Sequence, residues 1–360
     1  MKVHLTLFIG VFAIMALSNA IVPVLPSFAS TSFWQGAIYS AYFLGAFATT
    51  LPGGILSDRH GKVPVMRAGL VLTVLSGMLL SVTTNPAPVL LFRGLEGAGA
   101  GLFIASAMAC VNSRPNHMHL SGYFMAMLNV GLVFGLIASG WLAVKVGYPA
   151  TGIILFTILS LVPAVTSLFI RGAAPIPSGE DVSLFWPLVR GYRWIWYSSV
   201  ILVGITGVIS SLYPKFSSQS PEILGIWIGS MSIATIITVV AISRMTIRPV
   251  PAIRWSAILM IPGVFLSYIS PLGFVVLGAL AGIVMIAQMA VLAGIRDQQG
   301  AAMGLFSTSS YLGMTVLPVV AGIIADSAGF FCAFLSMTFF AATVAVTIGR
   351  GNFRNPDSAA

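Results

Sequence analysis

The chain is short of charge, of cysteine and above all of acid: among 360 residues there are eight Asp and Glu, two Cys and four His. Only 7% of residues are charged and 58% are apolar, whereas a soluble globular chain carries roughly a quarter charged residues. Water is therefore excluded as the main solvent. The net charge of +9 does not indicate nucleic acid, because the Lys and Arg stand singly between apolar runs and form no basic face. Cys110 and Cys332 lie inside apolar stretches with no Cys or His at ligand spacing, so they read as small hydrophobes and neither as a disulfide nor as a metal site. His4, His60, His117 and His119 lie near predicted cytoplasmic ends; the HxH pair of His117 and His119 has a spacing that could bind a metal, but a lone pair at a loop reads as incidental. No GxxxxGK[ST], HExxH or GxSxG occurs, which leaves no sign of nucleotide hydrolysis, enzyme activity or a cofactor.

What is abundant is apolar sequence in runs of membrane length, roughly 20 residues. Turns and isolated charges divide it into twelve: Leu5 to Phe28, Trp34 to Leu56, Val65 to Val82, Ala87 to Val111, Leu120 to Ala143, Pro149 to Ile170, Trp194 to Tyr213, Ile223 to Ile242, Ile253 to Ser270, Leu272 to Ile295, Ala301 to Ala325 and Phe330 to Ile348. The first imitates a signal peptide through Lys2, Ser18 and Ala20, but the apolar run continues to Phe28 and reads as a membrane span. The division between the ninth and tenth rests only on Ser270, Pro271 and Gly273. With the N-terminus cytoplasmic, fourteen of the seventeen Lys and Arg fall on that side; Lys145 and Lys215 lie outside and Arg93 lies within a span. The expectation is a multi-pass protein of the cell membrane with both termini cytoplasmic.

The longest connection holds Pro175, Pro177, Gly179, Glu180 and Asp181 and separates six spans from six. This predicts an N-terminal six-helix bundle over 1–171, a cytoplasmic linker over 172–193 and a C-terminal six-helix bundle over 194–360. The halves resemble each other. At an offset of 182, Gly122, Gly131, Gly140 and Gly147 match Gly304, Gly313, Gly322 and Gly329; Pro26 and Phe28 match Pro214 and Phe216 more loosely, 188 residues apart. Repeats of this kind accompany secondary transporters, whose substrate binds between two bundles near the midplane.

Between spans two and three the chain has a charged loop, Gly54, Ile55, Leu56, Ser57, Asp58, Arg59, His60, Gly61, Lys62. It resembles the GxLaDRxGRK signature of the major facilitator superfamily, with Ser57 and a single Lys62 as departures. The residues suggest that Gly54 allows close helix approach, that Gly61 permits a tight turn, and that Asp58 is placed to meet a helix N-terminus. The resemblance implies an all-α fold of twelve membrane helices in two pseudo-symmetric bundles, normally monomeric. It also implies a cytoplasmic latch in which Asp58 faces the start of span eleven near Ala301, with Arg59 and Lys62 supporting the loop or meeting lipid phosphates. The plainer reading is that these charges set topology.

Span four carries Arg93, Glu96, Gly97 and Gly101 in a run similar to the family's RxxQGxGAA motif, which is associated with proton-coupled members; Glu96 replaces Gln and Gly101 replaces Ala. Arg93 and Glu96 share a helix face, and a charge deep in a bilayer costs about 2.5–3.5 kcal/mol, which makes it a functional candidate. The remaining acids lie in loops or at span ends, so Glu96 is the candidate proton carrier with Arg93 as its modulator; the alternative is a salt bridge that braces the helix. Gly97 and Gly101 form a GxxxG packing pair. Gly122, Gly131, Gly135, Ser139 and Gly140 in span five follow the family's antiporter spacing, but Leu136 stands where Pro is expected; Pro318 occupies the equivalent place in span eleven.

The other polar residues in spans are Asn19, Tyr39, Tyr42, Asn129, Ser210, Ser211, Tyr213, Gln288 and Tyr311. Asn19, Tyr42, Asn129, Tyr213, Gln288 and Tyr311 are the pocket candidates, each with a helix-to-helix hydrogen bond as its competing role. The scarcity of charged and amide groups favours an amphipathic or lipophilic substrate. The expected function is proton-coupled export of such a compound by alternating access. The alternatives are a uniporter or symporter for a small metabolite and a non-transporting receptor with the same fold.

Overall fold

A computed structural model describes residues 2–113, 117–170, 185–243, 245, 247–293, 295 and 299–350. All regular structure among them is helical: α1 (Lys2–Ala20), α2 (Ser32–His60), α3 (Lys62–Ser81), α4 (Pro86–Asn112), α5 (His117–Val146), α6 (Thr151–Leu168), α7 (Phe185–Gly191), α8 (Arg193–Ser217), α9 (Pro221–Ile242), α10 (Pro249–Ile269), α11 (Leu272–Ala293), α12 (Gln299–Ala328) and α13 (Phe330–Thr347). Eleven of the twelve long segments are apolar enough to cross a membrane. The twelfth, α2, has 29 residues and the length to cross, but Gln35, Tyr39, Ser40, Tyr42, Thr49 and Thr50 dilute its apolar content.

Local sequence explains most boundaries. Pro23 and Pro26 lack the N–H that an α-helix needs, and the first span accordingly ends as a 3-10 helix over Val22–Ser27. Thr31 caps α2 by accepting from the Trp34 amide, and Asn85 caps α4 by accepting from the Ala87 amide, with Pro86 at the first helical position. The thinly marked turn after the ninth span is real: α10 ends at Ile269, and the Ser270 hydroxyl accepts the Leu272 amide at 3.3 Å. Two features depart from the sequence reading. The charged stretch from Gly54 is not a loop, because α2 runs through His60 and only Gly61, at φ 93°, separates it from α3. The stretch before the seventh span contains the short helix α7.

Large apolar side chains occupy both faces of the helices. On α3, Val63, Met66, Leu70 and Val74 are buried while Val71, Leu75 and Met78 are exposed. Helices in water hide their apolar stripe; an apolar outer face belongs in lipid.

Contacts group the chain into two compact units, Met1–Gly179 with Ser210–Gly229, and Glu180–Ile209 with Ser230–Ala360. This grouping is spatial and differs from the division at residues 172–193, which follows the chain. In the first unit α2 and α3 pack on α4, and α1 on α5 and α6, around a core that includes Leu7, Val11, Ile14, Leu70, Phe103 and Phe124. The turn between α8 and α9 joins this unit because Gly225 faces the Leu136 carbonyl and Gly140 faces the Pro221 carbonyl, so the backbones touch. In the second unit α10 packs on α11 and α13, and α12 on α13.

The internal repeat is visible in contacts as well as in letters. Gly131 of α5 rests on Phe12 of α1, and Gly313 of α12 rests on Val200 of α8; the offsets are 182 and 188. Gly147 and Gly329 both have positive φ, 76° and 89°, and their amides both reach back four residues, to Ala143 and Ala325, at 3.1 Å. Gly97 and Gly101 of α4 rest on Tyr42 and Ala46 of α2; Gly278 and Gly282 of α11 rest on Met231 and Thr235 of α9. That register is 181 residues for α4 against α11 and 189 for α2 against α9. It identifies the counterpart of any side chain on these helices.

Candidate functional site

Within the first unit the polar side chains of α2 and α4 converge on one point. Arg93 and Glu96 lie one turn apart on α4, 1% and 0% exposed, with Nη1 to Oε2 at 2.6 Å. The second Arg93 amino group donates to the Ser18 carbonyl at 3.0 Å. That carbonyl lies in the last turn of α1, among the groups an α-helix leaves unpaired. The guanidinium also sits 4.8 Å from the centre of the Tyr42 ring, a cation–π contact strengthened by its burial. Tyr39, one turn before Tyr42 and 5% exposed, hydrogen-bonds Ser210 and lies within electrostatic reach of Arg93. Gly97 lets α4 approach the Tyr42 backbone closely, which holds these rings against the ion pair.

The pair is not saturated. Arg93 Nε and Glu96 Oε1 are buried without a hydrogen-bond partner. A buried carboxyl oxygen without a partner carries a desolvation cost that a fully bonded pair would not.

The repeat register adds a second fact. At 181 residues beyond Arg93 and Glu96 stand Phe274 and Leu277 of α11, both fully buried. The fold fills the same place in its other half with hydrocarbon.

The remaining sequence candidates separate. Asn19 donates to the Leu132 carbonyl at 3.1 Å and ties α1 to α5. Asn129 donates to Met125, one turn back in its own helix. Tyr213 packs on Phe216 and Trp227, with centroids 5.6 and 6.1 Å apart. Gln288 is buried on α11; its amide donates to the Ser198 hydroxyl at 2.8 Å and its carbonyl oxygen has no partner. Tyr311 lies part-buried on α12. Of the six pocket candidates, Tyr42 is in contact with the Arg93–Glu96 pair.

Among the packing glycines, Gly97, Gly101, Gly131, Gly135 and Gly140 each face a neighbouring backbone. Gly122 does not: a Cβ there would meet nothing within 4 Å. The same holds for Gly54, so the assignment of close approach to Gly54 is corrected to Gly53, where a Cβ would lie 3.1 Å from the Leu102 side chain. Successive helical residues point about 100° apart, and only Gly53 is turned toward α4. Ser139, in place of a Gly, uses its hydroxyl to donate to the Ala20 carbonyl. Pro318 is buried within α12.

Asp58 and Arg59 fall in the last turn of α2, and Lys62 begins α3. An anion in a last turn opposes its own helix dipole, by about 0.3–1 kcal/mol, so α2 itself gives Asp58 no reason to be there. The side chain of Ala301 lies outside the described residues. Arg67, one of the fourteen basic residues counted on the cytoplasmic side, donates to three carbonyls at the end of α6: Ser167 at 2.9 Å, Leu168 at 3.2 Å and Ile170 at 2.7 Å. It closes the open end of that helix.

Comparison with known proteins places this architecture. The quinolone resistance protein NorA of Staphylococcus aureus is 26% identical over 144 residues, 38% of this chain and 37% of that protein. The multidrug resistance protein MdtG of Klebsiella pneumoniae is 32% identical over 159 residues, 39% of this chain and 37% of that one. The chain thus matches little more than a third of the length of these curated relatives. Solved structures align over nearly the full length. A D-xylose-proton symporter has a TM-score of 0.77 at 13% identity, covering 97% of both chains. The nucleoside transporter NupG has 0.75 at 14%, covering 99% of this chain and 100% of its own. At such identities the likeness is one of fold. Residues 7–293 match the sequence profile of the Major Facilitator Superfamily, whose members are transporters and not enzymes; because that match spans most of the sequence, the chain belongs to the Major Facilitator Superfamily.

Proposed function

We infer that the protein is a secondary active transporter that exports an amphipathic or lipophilic compound by alternating access, driven by protons through Glu96. The observation that carries this reading is the buried, incompletely bonded Arg93–Glu96 pair, whose counterparts in the other half are Phe274 and Leu277. An ion pair needed only to brace the fold would be expected at both places. A charge kept in one half, at the insertion cost of an intramembrane charge, calls for a use. The resistance proteins that share sequence with this chain support export of such compounds, and the apolar character of the spans agrees with it.

In this reading Glu96 holds the proton, Arg93 favours its release, and Tyr42 and Tyr39 keep the guanidinium in place. Asp58 acts as the cytoplasmic latch, and both termini are cytoplasmic. Asn19, Tyr213, Gln288 and Tyr311 are secondary pocket candidates. The test is transport in reconstituted vesicles with Glu96→Gln. Loss of dependence on an imposed pH gradient, with counterflow exchange retained, supports the assignment; unchanged dependence removes it.

The fold neighbours that carry a nucleoside or a sugar with a proton give weight to a second reading, import of a small metabolite. Imposing the pH gradient in each direction on oriented vesicles separates the two.

A further inference from the structure

We propose that α7 and the start of α8 form a docking surface for the anionic lipid headgroups of the bilayer. The short helix Phe185–Gly191 precedes a membrane-spanning helix that begins at Arg193, so chain connectivity places it at a membrane surface. Its two faces differ. Leu188 is 5% exposed, and its carbonyl accepts from the Trp196 indole N–H at 3.4 Å, which fixes α7 on the first turn of α8. Trp186 and Arg190, four residues apart and therefore on one face, point the other way: Trp186 is 66% exposed and Arg190 is exposed. Arg193, the first residue of α8, is also exposed, with its guanidinium 5.2 Å from the centre of the Trp194 ring.

Two exposed arginines and an exposed indole thus stand between residues 186 and 193, where the chain enters α8, and no acidic residue occurs from Phe185 to Ser217. Tryptophan prefers the headgroup level because its ring is apolar and its N–H needs a polar partner. Exposed arginines beside it match phosphates in charge and geometry. Charge complementarity therefore selects anionic phospholipid as the occupant. α7 also packs against α12, so a lipid seated on α7 is linked through it to a helix that continues into the membrane.

The test uses the full chain in vesicles of phosphatidylcholine titrated with phosphatidylglycerol that carries a quencher at the headgroup. The difference in tryptophan emission between the protein and its Trp186→Phe variant isolates the one indole. Its quenching should saturate with phosphatidylglycerol, weaken in high salt, and shift in apparent affinity by about fivefold for each arginine changed to Gln at 190 or 193. Gel filtration and melting in detergent confirm that the variants are folded. Quenching by aqueous iodide with no response to anionic lipid overturns the proposal. So does a lipid response that both arginine changes leave intact.

Discussion

If the Arg93–Glu96 pair serves transport and not packing, then giving the first half the residues of the second should cost little stability and all coupling. The perturbation is Arg93→Phe with Glu96→Leu, which copies Phe274 and Leu277 at the same register. Each change alone strands a charge that is 1% or 0% exposed, and removing one partner of a buried pair costs about 3–5 kcal/mol. Additive behaviour would therefore place the double variant about 6–10 kcal/mol below the parent. Replacement of a whole buried pair by hydrocarbon is often neutral or stabilising. Against that stands the Ser18 carbonyl, which loses its Arg93 donor and costs about 1–3 kcal/mol if left unsatisfied. The expected double variant lies within about 3 kcal/mol of the parent. The assay is a double-mutant cycle of unfolding free energies in detergent, with pH-gradient-driven transport measured on the same preparations. Additive losses would refute the reasoning, because they would mean that the pair is part of the packing.

Three further outcomes follow from the geometry. Asp58→Asn should leave folding and membrane insertion nearly unchanged, since α2 gains from losing an anion in its last turn, while slowing the transport cycle; normal transport removes the latch role. Gly97→Ala drives a methyl into the Tyr42 backbone and should lower the melting temperature and disturb the Arg93 environment, whereas Gly54→Ala and Gly122→Ala, with open space around them, should be neutral. Arg67→Ala releases three carbonyls at the end of α6 and should destabilise by about 2–3 kcal/mol, with partial recovery in Arg67→Lys; an unaltered melting curve would show that water closes that helix end equally well.

Span number, turns and the repeat were legible in the sequence because each rests on local physics. Pro23 and Pro26 cannot continue a helix, Asn85 before Pro86 starts one, and apolar runs longer than a bilayer is thick divide where they must. Facing was not legible. Gly53 and Gly54 are identical by letter, and only the position of α4 shows which of them is pressed by a neighbour. Asn19 and Tyr42 were equal candidates, but Asn19 spends its donor on Leu132 while Tyr42 lies beneath Arg93. Arg67 looked like one basic residue among many, because its role depends on where α6 stops, about a hundred residues later. The Arg93–Glu96 pair stood out early because charge in an apolar run is rare, but its asymmetry appeared only when contacts fixed the register at 181.

The joint at Gly61 carries a mechanical consequence. One residue between α2 and α3 leaves no slack, so the whole freedom of the joint is torsion about two backbone bonds. Any force that turns the end of α2 must then pull on α3, and Arg67, five residues into α3, grips the tail of α6. The three helices are thus linked end to end, so that a displacement at the end of α2 is carried through α3 to the tail of α6.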